Sequence, residues 1–147
     1  MKNRLMEQEF VLFDLEVSNK EEAIRALIDA MDCDGRIGAI SGYYDDVLKR
    51  EAQASTAVGM MVATPHAKSK HVNVPSLGFA RFKRAIQWDE SEEVKMIFLI
   101  AVPEAEDGNQ HLEIISSLFR KMVYDDFRDA LSKAQKPIEI VELLKEN

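Results

Sequence analysis

An α/β sandwich is the fold class that this sequence predicts, and three observations carry the prediction. Val94 to Val102 is an almost unbroken apolar run closed by Pro103, the pattern of a strand buried on both faces. Segments on either side of it in the chain repeat apolar residues at helical spacing. Between Thr56 and Phe82 the pattern changes to short apolar runs punctuated by Gly59, Pro65, Pro75 and Gly78, which reads as strands and loops. Helices that bracket buried strands in this way need a sheet to pack on. The strand order does not follow from the pattern.

The elements can be taken in order. Val11 to Leu15 reads as a first short strand. Ser18, with Glu21 and Glu22 after it, is a candidate N-cap for a helix whose inward face is Ala23, Ile24, Leu27, Ile28 and Met31, and Gly35 ends that helix. A second helix is expected from about Gly42 to Gln53, with Tyr43, Val47 and Leu48 inward and with Lys49 and Arg50 in its last turn, where cations suit the helix dipole. Leu77, Phe79 and Phe82 suggest a strand before the central one. After a polar loop from Glu104 to Asn109, Leu112, Ile115, Leu118, Phe119 and Met122 form one helical stripe. Two shorter helices follow, roughly Asp125 to Ala134 and Pro137 to Lys145, the last with proline in its first turn.

The chain of 147 residues is most simply one domain, 1–147, large enough for a single substantial core. Its longest apolar runs are far too short to cross a bilayer, so no direct membrane insertion is expected. Met1-Lys2-Asn3-Arg4 leads into Glu7 and Glu9, and no signal peptide is read there. A single cysteine, Cys33, excludes an internal disulfide and fits a reducing cytoplasm. The net charge of −7 argues against nucleic acid as a partner.

The most informative stretch is Ala63-Thr64-Pro65-His66-Ala67-Lys68-Ser69. From Ser55 to Trp88 there is no Asp or Glu, while Lys68, Lys70, Arg81, Lys83 and Arg84 supply positive charge, as suits a loop that receives an anion. Imidazole is a neutral nucleophile near neutral pH and a good leaving group once its other nitrogen is protonated, which fits reversible carriage of a phosphoryl group. Such transfer asks for in-line positioning and for positive or hydrogen-bonding groups around three oxygens, and Arg50, Thr56, Lys68 and Ser69 are candidates to supply them. His111 falls at the start of the long helix, where backbone amides also favour anions, though a surface position would read the same way. His71 reads as a solvated surface residue. A zinc site built from His66, His71 and His111 has no familiar spacing, no cysteine, and lysines that repel a dication, so neither metal nor cofactor is expected. No Gly-x-Ser-x-Gly elbow supports a serine hydrolase.

Leu48-Lys49-Arg50-Glu51 through Ser55-Thr56, Val62 through Ser69, Pro75-Ser76-Leu77, Ile97 through Pro103 and His111 through Leu118 together resemble the fructose/mannitol-type EIIA domain of the bacterial phosphoenolpyruvate-dependent sugar phosphotransferase system. The resemblance covers essentially the whole chain in order. It implies a mixed β-sheet flanked by helices on both faces and a cytoplasmic phosphocarrier. It implies that His66 takes a phosphoryl group from HPr, on the tele nitrogen, and passes it to a cysteine of a separate EIIB component. Arg50 and His111 match the arginine and second histidine that hold the phosphoryl group, and Cys33, between two aspartates, is left a bystander. A regulatory relative of the nitrogen-related type, whose phosphorylation state controls partner binding, shares the same histidine motif and is the alternative. Two positions depart from the family pattern: Thr64 stands where an aliphatic residue is usual, and Ala67 where glycine is usual. Alanine would be strained there if the backbone needed a positive φ.

Overall fold

The computed structural model describes residues 5–104 and 110–145, and the side chains of 110–112 lie outside that description. Among the described residues the strands are β1 (Val11–Leu15), β2 (Ala57–Gly59), β3 (Val62–Ala63), β4 (His66–Ser69), β5 (Ser76–Gln87) and β6 (Glu93–Pro103). The helices are α1 (Lys20–Asp32), α2 (Ile40–Gln53), α3 (Gln110–Met122), α4 (Asp125–Lys133) and α5 (Pro137–Leu143). One mixed sheet runs in the order β1-β5-β6-β3-β2, with β4 also paired to β6. β1 is parallel to β5, β5 antiparallel to β6, and both β3 and β4 are parallel to β6.

Period-two alternation along β6 builds two cores at once. Ile97, Leu99 and Ala101 face α1 and α2, where they meet Leu27, Ile28, Tyr43 and Val47. Met96, Phe98, Ile100 and Val102 face the other way and join Leu118, Met122, Leu131 and Ile140 from α3, α4 and α5. A strand with both faces buried has no polar positions to spare, which is why the run reads as continuous in sequence. On the second face Phe79 and Phe98 form a tilted ring pair with centroids 5.1 Å apart. The register of β5 on β6 shifts between Arg81 and Ile86. Past that irregularity Val94 belongs to the α1/α2 core, out of phase with Met96, Phe98 and Ile100.

The inward face of α1 is the expected one, Ala23, Ile24, Leu27, Ile28 and Met31. Its cap is Asn19, not Ser18. Asn19 Oδ1 accepts the Glu22 amide at 2.9 Å, and Glu22 returns the bond by accepting the Ser18 amide at 2.7 Å. The reason is spacing: Glu22 stands three residues beyond Asn19, and an asparagine caps as well as a serine. The stripe of α3 also differs, since Phe119 is exposed while Ile114 packs on the core. α2 begins at Ile40, two residues earlier than expected, and α5 ends at Leu143. The polar loop read from Glu104 to Asn109 lies outside the described residues after Glu104.

The strand that leads to the histidine is broken in the middle yet never loses step. Val62 and Ala63 pair with Met96 and Ile97, and His66 to Ser69 pair with Ile100 to Pro103, which is one register carried across Thr64 and Pro65. Pro65 has no N–H to give to a ladder. Its carbonyl still accepts the Ile100 amide at 3.1 Å, so the chain stays fastened to β6 where the ladder lapses.

Candidate functional site around His66

His66 opens β4, and the alternation along that short strand decides what each residue faces. His66 is half-buried, Ala67 buried, Lys68 exposed and Ser69 buried. α2 packs alongside β4. On α2, Tyr43 and Val47 turn into the core, while Asp46, Lys49, Arg50 and Gln53 recur at helical spacing as one polar stripe. That stripe, with His66, Ala67, Lys68 and Glu104, lines an open depression of about 370 Å³.

The ring of His66 is oriented by the backbone just before it. Nδ1 lies 2.8 Å from the carbonyl oxygen of Thr64. A carbonyl can only accept, so Nδ1 carries a proton and, in the neutral ring, the lone pair falls on Nε2. Thr64 is itself held, since its amide donates to the Thr56 carbonyl at 3.0 Å. That contact orients the ring and sets the tautomer of its neutral form.

Arg50 is anchored at the end of α2, where Nη1 donates to the Ala54 carbonyl at 2.8 Å. Arg50 thus brings a planar, permanently charged group to the depression that His66 lines, with Lys49 and Lys68 adding positive charge around it. Two buried contacts fix α2 relative to the sheet. The Tyr43 hydroxyl donates to the Ile100 carbonyl at 3.0 Å, and Ile100 is the ladder partner of His66. Burial, and then the charge of Asp46, push the Tyr43 phenol well above its ordinary value of 10.0. About two turns on, buried Glu51 accepts the Thr56 amide at 2.9 Å, the Thr56 hydroxyl at 2.6 Å and the Trp88 indole N–H at 3.0 Å. Lys20 completes the network 3.7 Å from Glu51. Glu51 falls in a stretch that carries the family resemblance, but its burial gave no sequence signal, because glutamate on a helix reads as solvated.

The other expected residues are placed as follows. Thr56 and Ser69 line no part of the depression. The Thr56 hydroxyl is committed to Glu51, and the Ser69 hydroxyl donates to Asp46 at 2.5 Å and accepts the His71 amide at 3.0 Å. His111 belongs to the first turn of α3, and its side chain lies outside the described residues. His71 is not simply solvated: it is half-buried against α2, and a Cβ on Gly42 would stand 2.3 Å from its ring. Cys33 is exposed, its thiol 3.6 Å from the Asp29 carbonyl. Ala67 sits in a paired strand, and positive φ among the described non-glycine residues is confined to Asp14, Met60 and Met61, so alanine there is unstrained.

Of the cations in the carboxylate-free window, Lys68 lines the depression while Arg81, Lys83 and Arg84 do not. Arg81 reaches the Leu131 carbonyl at 2.8 Å and stacks 4.2 Å from the Phe13 ring, and Lys83 pairs with Glu16 at 3.6 Å. β5 carries both away from His66. Asp46 and Glu104, distant in sequence, enter the depression instead.

The family model described as "Phosphoenolpyruvate-dependent sugar phosphotransferase system, EIIA 2" matches residues 4–147. The PTS system fructose-specific EIIA component of Haloferax volcanii is 35% identical over 131 residues, which cover 88% of this chain and 84% of that protein. Multiphosphoryl transfer protein 1 of Escherichia coli is 34% identical over 142 residues, 96% of this chain, and the chain spans 17% of that relative's length. Among solved structures, IIA mannitol from Escherichia coli superposes with a TM-score of 0.78 at 23% identity, over 95% of this chain and 98% of that one. The nitrogen regulatory protein IIA-Ntr from Neisseria meningitidis superposes with a TM-score of 0.86 at 22% identity, over 96% and 97%. At such identities the likeness is one of fold. The match over residues 4–147 goes further: the chain belongs to the type 2 EIIA family of the phosphoenolpyruvate-dependent sugar phosphotransferase system and is a phosphotransferase component.

Proposed function

We propose that His66 is the residue that carries the phosphoryl group, on Nε2, in a cytoplasmic sugar-uptake relay. The observation that supports this most is the Nδ1 contact to the Thr64 carbonyl, which leaves the lone pair on Nε2 of a ring at the rim of a depression holding Arg50, Lys49 and Lys68. HPr is the donor and an EIIB cysteine the acceptor.

The transfer balances as follows. The Nε2 lone pair attacks phosphorus in line, and the donor's P–N bond breaks with its electron pair returning to the donor nitrogen. A donor ring protonated on its other nitrogen leaves as neutral imidazole, and His66 becomes the phosphoimidazolium, its Nδ1 proton still held by Thr64. The second transfer reverses these roles, with a thiolate as attacking group. Arg50 offers its fork to the phosphoryl oxygens, and the family resemblance makes His111 the second residue proposed to hold them.

Incubation with phosphoenolpyruvate, Enzyme I and HPr, read by intact mass, tests the reading. The parent chain gains one phosphoryl group and His66→Ala gains none. Full labelling of His66→Ala would remove the assignment. Transfer onward to an EIIB protein separates sugar uptake from a regulatory role of the nitrogen-related type, in which no EIIB accepts the group.

A further inference from the structure

The depression around His66 holds two carboxylates among its cations, and Ser69 touches both residues, one through its side chain and the other through its backbone. The Ser69 hydroxyl donates to Asp46 Oδ2 at 2.5 Å, and the Ser69 carbonyl accepts the Glu104 amide at 3.0 Å. Ser69 itself is 1% exposed and locked in the β4–β6 ladder opposite Pro103. Asp46 is therefore a stationary charge at the wall of the site, and Glu104 is pinned by its backbone at the end of β6. Neither carboxylate can help to bind a phosphoryl dianion, and both oppose it.

We infer that Asp46 and Glu104 set the phosphoryl-transfer potential of His66, by offsetting Arg50, Lys49 and Lys68 so that the group is held but not trapped. This rests on the assignment of His66 as acceptor. The exchange with a phosphohistidine donor breaks one P–N bond and forms another, so bond chemistry nearly cancels and the charges around each ring decide the equilibrium. With the three cations alone the phosphoryl group would accumulate on this chain and leave slowly for a thiolate. The two carboxylates raise the energy of the phosphorylated form specifically, and they do so without touching the reacting atoms.

The test is the equilibrium ratio of phosphorylated to free chain against phosphorylated to free HPr, read by intact mass with purified phospho-HPr. Asp46→Asn keeps an acceptor for Ser69 and Glu104→Gln keeps the backbone contact, so each removes charge with little else. Each is expected to shift the ratio about two- to tenfold toward the phosphorylated chain, with the shift shrinking as salt is raised. A structural disturbance would not be erased by salt, and the double variant should multiply the two shifts. A ratio unmoved in both variants, moved toward HPr, or moved by an amount indifferent to salt overturns this inference while leaving His66 as acceptor. Failure of the parent chain to take any label would overturn both.

Discussion

Replacing Glu51 with alanine should destabilise the chain by about 3–5 kcal/mol, the range for breaking a buried ionic contact by removing one partner. The side chain is 3% exposed and takes three hydrogen bonds, two from Thr56 and one from Trp88, besides the ion pair with Lys20. Thr56 and Trp88 are themselves buried, so truncation strands three donors. Each unsatisfied buried donor costs about 1–3 kcal/mol. The Thr56 hydroxyl can rotate toward another acceptor, which brings the sum to the lower part of its range. Glu51→Gln keeps one carbonyl oxygen but turns an amide N–H₂ toward donors, so it should fall between, at about 2 kcal/mol. Urea unfolding followed by circular dichroism is the assay, because the single tryptophan is part of the network and would report its own environment. An unchanged m-value with a lowered midpoint is expected. A Glu51→Ala protein within about 1 kcal/mol of the parent would refute the claim that this network fixes the end of α2, and with it the support given to Arg50 one residue before.

Other consequences follow from single contacts. Tyr43→Phe removes the bond to the Ile100 carbonyl and should cost about 1 kcal/mol in the same urea experiment. Because the folded phenol is raised above 10.0, its contribution is present below that pH and declines as pH rises and the unfolded chain ionises; Tyr43→Phe should lack that alkaline slope. Asp89 is held at about 2, below its ordinary 3.8, first by the Ser55 hydroxyl and then by the Ser91 amide, so its contribution is present above about 4 and lost as pH falls through about 2. A carboxyl NMR titration should place it there, and Asp89→Asn should show less acid loss. Gly42→Ala sets a methyl against the His71 ring and should cost about 1–3 kcal/mol, most of it recovered in a Gly42→Ala/His71→Ala double variant if the clash is the cause.

Much of this molecule could be read from local pattern, where one element's periodicity records one environment. The α1 face and the β6 run are of that kind, because each is buried by many neighbours at once and tolerates no polar intruder. Arg50 and His66, far apart in sequence, line the same depression. The misses share a cause. Thr56 and Ser69 offer hydroxyls in the right stretch, but alternation turns Ser69 inward and Glu51 claims Thr56. The basic window is split because β5 runs away from β4 along β6. Asp46 and Glu104 could not be foreseen at the site, since only the packing of α2 on β4 and the end of β6 bring them there. Phe119 looked like stripe and Ile114 did not, which is the ambiguity of one residue's turn on a helix.

The central claim is that Nε2 of His66 forms the bond to phosphorus while Nδ1 keeps its proton against Thr64. Phosphorus–nitrogen correlation NMR on the nitrogen-15-labelled phosphoprotein, prepared with phospho-HPr, addresses it directly. The account predicts one phosphorus signal, coupled to Nε2 of residue 66, with the Nδ1 proton still in slow exchange. Coupling to Nδ1 of His66, or to a nitrogen of His111 or His71, would contradict it.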